Sequence, residues 1–190
     1  MRFFYNATPK ELLELRNKII LETAIPCLLE NGFKKSPFST SWFGRDNHRN
    51  FNYELCRLTG DSQLEILWIY IHRGERRTKF RLNIFELSPH VQSIDDLTGL
   101  DGIQFVIPPD SLTEMYLRSD DVKGPPLFSL RYMSGYKLKR FYTKGGLIRS
   151  ANRLTATIKN DMNNINHFIR RWHELHHPMN TSWTGHEIKP

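Results

Sequence analysis

The stretch Gln63–Arg73, QLEILWIYIHR, carries apolar side chains on both of its alternating faces. Leu64, Ile66, Trp68 and Tyr70 fall on one side, and Leu67, Ile69 and Ile71 on the other. A strand that is apolar on both faces must be covered on both, so this run reads as the centre of a sheet. Its neighbours alternate. NFNYELCRL sets Phe51, Tyr53 and Leu55 against Asn52, Glu54 and Cys56, and TKFRLNIFEL sets Phe80, Leu82 and Ile84 against Lys79, Arg81 and Asn83. The turns between them, Thr59–Ser62 and Arg73–Arg76, are short, which predicts an antiparallel meander. A further strand is expected in SPFSTSWFGRDN, ending in a turn over Gly44–Asn47.

Helical patterns flank these strands. Thr8-Pro9-Lys10-Glu11 supplies an N-cap, a proline at the first helical position and the glutamate of a capping box. Asn31-Gly32 closes that helix, and Pro26 predicts a kink or a split inside it. A closing helix is expected from about Ser150 to His177, where Leu154, Ile158, Met162, Ile165, Ile169, Trp172 and His176 recur at helical spacing. Between the strands and this helix lies an irregular insert at about 88–126, with a helical turn from Ser93 and a short helix from Ser111 to about Arg118. LFSLRYMSG and YKLKRFYT then form a late hairpin turning at Ser134-Gly135. The order predicts an α+β fold over a single domain, residues 1–190. An antiparallel sheet carries a long N-terminal and a long C-terminal helix on one face, and a flexible tail covers about 178–190.

Composition narrows the class. With 39% hydrophobic and 25% charged residues the chain can bury a core, which excludes wholesale disorder. The longest apolar run, LEILWIYI, is too short to span a bilayer, and the N-terminus lacks a signal-peptide core, so no membrane association is expected. Cys27 and Cys56 read as reduced thiols of a cytoplasmic protein. The net charge of +7 is concentrated. Residues 131–153 hold Arg131, Lys137, Lys139, Arg140, Lys144, Arg149 and Arg153 and no acid, while residues 1–130 are close to neutral.

The stretch LLENGFKKS, Leu28 to Ser36, places an Asn-Gly-Phe-Lys-Lys turn after a helix and before a strand carrying Phe38. It resembles the opening of an uncharacterised bacterial family, number 4304 in the domain-of-unknown-function series. The likeness covers roughly residues 10–90 and loosely the end. It implies a helix, antiparallel strands and a late helix in a small cytoplasmic bacterial protein, one that binds another protein such as a toxin. It brings no catalytic residues.

Three constellations carry chemistry. HELHH contains the H-x-x-x-H zinc spacing in His173 and His177, with Glu174 where a general base would stand. Phased on the stripe through Ile165, Ile169 and Trp172, these residues lie at the edge of the buried side or beyond it, among bases, and Pro178 follows at once. That pattern fits a helix C-terminus better than a dication site. Tyr132, Tyr136, Phe141 and Tyr142 are interleaved with the bases of the 131–153 window, a composition that suits nucleic acid or another anion through Lys137, Lys139, Arg140, Lys144, Arg149 and Arg153. Lys144-Gly145-Gly146 precedes a helix and reads as a flexible turn more readily than as an anion cradle. HRGERRTK, His72–Lys79, reads as a solvated hairpin tip with no specific role.

The leading expectation is therefore a non-enzymatic, immunity-like module whose partner is another protein. The second is a nucleic-acid-binding protein using the basic window, and the third a zinc hydrolase at His173, His177 and Glu174. No catalytic residues and no cofactor are expected for the first two.

Overall fold

A computed structural model of the chain describes residues 5–120 and 135–189. Among the described residues seven strands form one sheet: β1 Lys34–Lys35, β2 Phe43–Arg45, β3 Phe51–Thr59, β4 Gln63–Ile71, β5 Thr78–Leu87, β6 Met115–Tyr116 and β7 Met179–Thr181. The long strands β3, β4 and β5 form the antiparallel meander expected, with β4 in the middle. Register places Leu55 and Leu82 on either side of Leu67, and Tyr53 and Phe80 on either side of Ile69. Both faces of β4 are buried, as its two-sided apolar pattern requires.

The helices cover one face. Helix α1 (Pro9–Ile19) starts at Thr8, whose hydroxyl accepts from the Glu11 amide while the Glu11 carboxylate accepts from the Thr8 amide. It passes through a wide π-turn at Ile20–Ala24 into α2, Ile25–Glu30. The change in helical gauge comes just before Pro26, which has no amide to donate; this is the expected interruption, met by a π-turn. The closing segment departs from expectation. It begins earlier, at Lys144, and is two helices, α3 Lys144–Asn163 and α4 Ile165–Leu175. Asn164 breaks it with φ −108° and ψ 29°, its side-chain amide donating to the Asn160 carbonyl at 2.7 Å. The apolar stripe survives the break: Leu154, Ile158, Met162, Ile165, Ile169 and Trp172 join Leu55, Leu67, Ile69, Phe80 and Leu82 in one core.

The insert covers the opposite face. Phe38, Val91, Ile94, Leu97 and Phe105 close over Cys56, Leu64, Ile66, Trp68 and Phe85. Its turns are 3-10 helices at Ile94–Leu97, Ile103–Val106 and Asp110–Thr113. Ser93 caps the first, as expected. The helix expected from Ser111 to Arg118 does not form. Glu114, which would complete its capping box, pairs instead with Arg81 of β5, and the chain runs on into β6.

Three further expectations are corrected. SPFSTSWFGRDN is a strand only at Phe43–Arg45; before it, Ser36 and Ser41 both donate to the Glu54 carboxylate of β3 at 2.7 Å. The tail carries regular structure. β7 pairs with the open edge of β5, in parallel, and Trp183 Nε1 donates to the Pro89 carbonyl at 2.7 Å. The first half of the late hairpin lies outside the described residues. Its second half is no strand, making one bridge from Lys137 to Arg77. Cys27 and Cys56 are free and buried, and no helix among the described residues is long and apolar enough to cross a membrane.

Candidate nucleic-acid interface

The site is built on the turn between β4 and β5. Arg16 of α1 is buried, and its guanidinium is spent on that turn: Nη1 donates to the Arg77 carbonyl at 2.6 Å and Nη2 to His72 at 2.9 Å. Nε returns to the Leu12 carbonyl at 3.0 Å. Burial lowers the Arg16 pKa to about 10, with Glu75 opposing that shift, so the group stays charged at neutral pH. The turn is thereby pinned at both ends, and Arg73 and Arg76 are carried between the pins.

The start of the basic window is zipped to the same turn. Leu138 donates its amide to Arg76, at 3.0 Å, and Thr78 donates to Tyr136, at 2.9 Å. Tyr136, Leu138 and Phe141 are buried in the core, which turns Lys137, Lys139 and Arg140 outward. Tyr136 is held further by Asp161 of α3, a buried carboxylate that accepts from its hydroxyl and from Arg118 Nη2, both at 2.8 Å.

Arg76, Lys137, Arg140, Phe141 and Tyr142 line a concavity of about 520 Å³. The Arg76 guanidinium lies 5.0 Å from the centre of the Phe141 ring, which keeps it extended over an apolar floor. Tyr142 is 63% exposed at the rim. Among the described residues no ion pair is made by Arg76, Lys137 or Arg140, whereas their neighbour Lys79 is matched by Glu75 at 3.5 Å. The concavity therefore holds uncompensated positive charge beside aromatic surface.

Of the sequence candidates, Lys137 and Arg140 are brought together here. Lys139, Lys144, Arg149 and Arg153 are exposed but do not line the concavity, and Arg131 lies outside the described residues. Lys144-Gly145-Gly146 forms the first turn of α3, capped by Thr143, whose hydroxyl accepts from the Gly146 amide at 3.0 Å. Arg76 was missed: HRGERRTK had no role in the sequence reading. The signal that could have found it is the same density of bases that was read as solvated.

The HELHH residues are dispersed. Helix α4 ends at Leu175, so His177 lies beyond it, and His176 already has extended backbone. The Glu174 carboxylate is bound by Arg171. The rings of His173 and His176 pack on Trp172, at 5.3 Å and 5.4 Å. Trp172 is fully buried and donates Nε1 to the Thr113 carbonyl at 2.8 Å, so this segment is a core anchor. Among the described residues no group of three or more His, Cys, Asp and Glu stands where a metal ion could be held.

Comparison with protein-family models, curated proteins and solved structures gives no match for the chain.

Proposed function

We propose that this is a cytoplasmic binding module without a catalytic role, and that it holds a nucleic-acid strand by its phosphates at the concavity of Arg76, Lys137 and Arg140. The observation that carries the reading is the convergence of these three bases, from two segments distant in sequence, on one concavity, with no carboxylate among the described residues paired to them. A phosphate backbone releases its counterions on such a surface, which drives binding without sequence preference. The binding character agrees with the leading sequence expectation; the partner is shifted from a protein to nucleic acid by the aromatic lining. Tyr142, exposed at the rim, supplies ring surface on which a base stacks. The resemblance of Leu28–Ser36 adds a bacterial origin to the reading.

The test is fluorescence anisotropy with a labelled single-stranded oligonucleotide at low salt. Binding is expected, with affinity at least about tenfold weaker for the combined Arg76→Gln, Lys137→Gln and Arg140→Gln variant. Absence of binding by the wild-type chain at low salt overturns the reading. Co-purification of one acidic protein, released by the same three substitutions, would return the site to a protein partner.

A further inference from the structure

A second basic concavity, of about 390 Å³, also borders the β4–β5 turn and is lined by Lys10, Leu13, Arg45, Arg49 and Arg73. Its four bases come from four separate places: the first turn of α1, the end of β2, the turn after β2, and the β4–β5 turn. Four acids lie nearby in the chain. Glu11 is engaged in the capping box with Thr8, Glu14 reaches Arg45 only at 4.0 Å with both side chains largely in solvent, Glu75 pairs with Lys79 at 3.5 Å, and Asp46 is turned to the amides of its own loop.

The backbone under these bases is fixed in advance. Asp46 accepts from the amides of His48 at 2.9 Å and Asn50 at 2.8 Å, and from the side-chain amides of Asn50 and Asn52. That carboxylate holds a turn in which Arg49 has φ +64°, a conformation an arginine seldom adopts without such support. Asn50 then accepts from the Arg73 amide at 2.9 Å, tying the Arg49 turn to the β4–β5 turn.

The two concavities are neighbours. Arg73 lines one and Arg76 the other, and three residues of chain separate their Cα atoms by at most about 11 Å. Arg16 clamps the turn on both flanks, at His72 and Arg77, so this spacing is set by the core. Lys10, Arg45, Arg49 and Arg73 in one concavity and Arg76, Lys137 and Arg140 in the other thus meet at the β4–β5 turn, which both concavities share. A small anion would use one concavity. A polymer with charge repeated along its length engages both.

We infer that the two concavities are halves of one track, and that the ligand is a contiguous single strand of nucleic acid crossing the β4–β5 turn. This rests on the nucleic-acid reading of the first concavity. The test compares wild type with an Arg49→Gln, Arg73→Gln variant on oligothymidylates of about 4 and about 12 nucleotides, the short one able to fill a single half. Both arginines are exposed, so circular dichroism melts are expected to coincide. The variant is expected to bind the long oligonucleotide about tenfold more weakly and to lose about 1.4 from the slope of log K against log salt, as two lost phosphate contacts require. Its affinity for the short oligonucleotide is expected to stay within about twofold, because the first concavity is intact. If the variant keeps wild-type affinity and slope on the long oligonucleotide while the Arg76, Lys137 and Arg140 variant loses binding, the track is overturned and the first site stands. If wild type binds neither oligonucleotide, the site reading and the track fall together.

Discussion

The buried guanidinium of Arg16 donates to the Arg77 carbonyl at 2.6 Å, joining the first helix to the far end of the β4–β5 turn. A charged group is thus placed in the core to satisfy backbone acceptors, and the exposed bases on the turn inherit its rigidity. Arg16→Met keeps most of the side-chain volume but strands the His72 and Arg77 carbonyls. It is expected to cost about 3 kcal/mol in urea denaturation. Arg16→Lys should recover only part of that loss, since one ammonium cannot reach three carbonyls with the guanidinium fork's geometry.

Asp110 is buried in the third 3-10 turn, with its Oδ2 atom lacking a hydrogen-bond partner among the described residues. Burial first, and the charge of Glu187 second, raise its pKa from 3.8 to about 6, against the opposing effect of His186. The folded state therefore favours the protonated acid. Its stabilisation is complete below the ordinary value and is lost as pH rises through about 6. Asp110→Asn keeps the shape and removes the charge. The variant is expected to be more stable than wild type at pH ~8, by on the order of 2 kcal/mol, and to match it near pH ~4. Thermal melts at the two pH values measure this, and equal differences at both would contradict the assignment.

Asp161 joins α3 to two segments at once, through Arg118 and the Tyr136 hydroxyl. Tyr136→Phe removes one hydrogen bond and leaves the Arg118 pair, so a loss of about 1 kcal/mol is expected in denaturant. Asp161→Ala removes both partners' acceptor and is expected to cost about 3 kcal/mol. Because Tyr136 begins the segment that carries Lys137 and Arg140, the alanine variant should also weaken oligonucleotide binding while Tyr136→Phe leaves it nearly unchanged.

Trp172 is expected to dominate the energetics of the HELHH region. Trp172→Phe loses the bond to the Thr113 carbonyl and leaves a void, costing about 2–3 kcal/mol. Glu174→Gln is expected to cost no more than about 1 kcal/mol, because the glutamate is exposed although its partner Arg171 is largely covered. Zinc added in stoichiometric amount is expected to leave the melting temperature unchanged. A rise on zinc addition, abolished by His173→Ala, would restore the metal reading.

The sheet was legible because its signal is periodic and local. Leu67, Ile69 and Ile71 against Ile66, Trp68 and Tyr70 leave β4 no position but the centre. Capping chemistry likewise placed the start of α1. What escaped depends on distant partners. The β7 strand exists because β5 has an open edge at Phe85–Leu87, which nothing within Met179–Thr181 announces. Glu114 could cap a helix or pair with Arg81, and the sheet decides for Arg81. The candidate site followed the same division. Lys137 and Arg140 stood out by charge density, whereas Arg76, and with it Arg49 and Arg73, acquire meaning only once Arg16 and Asn50 bind their turns together.

The most direct measurement is the salt dependence of affinity for a single-stranded oligonucleotide of about 12 nucleotides. The seven bases flanking the β4–β5 turn predict a linear fall of log K with log salt, with a slope of roughly −3 to −5 if most of them meet a phosphate. A slope near zero, or no binding at the lowest salt, would contradict the account.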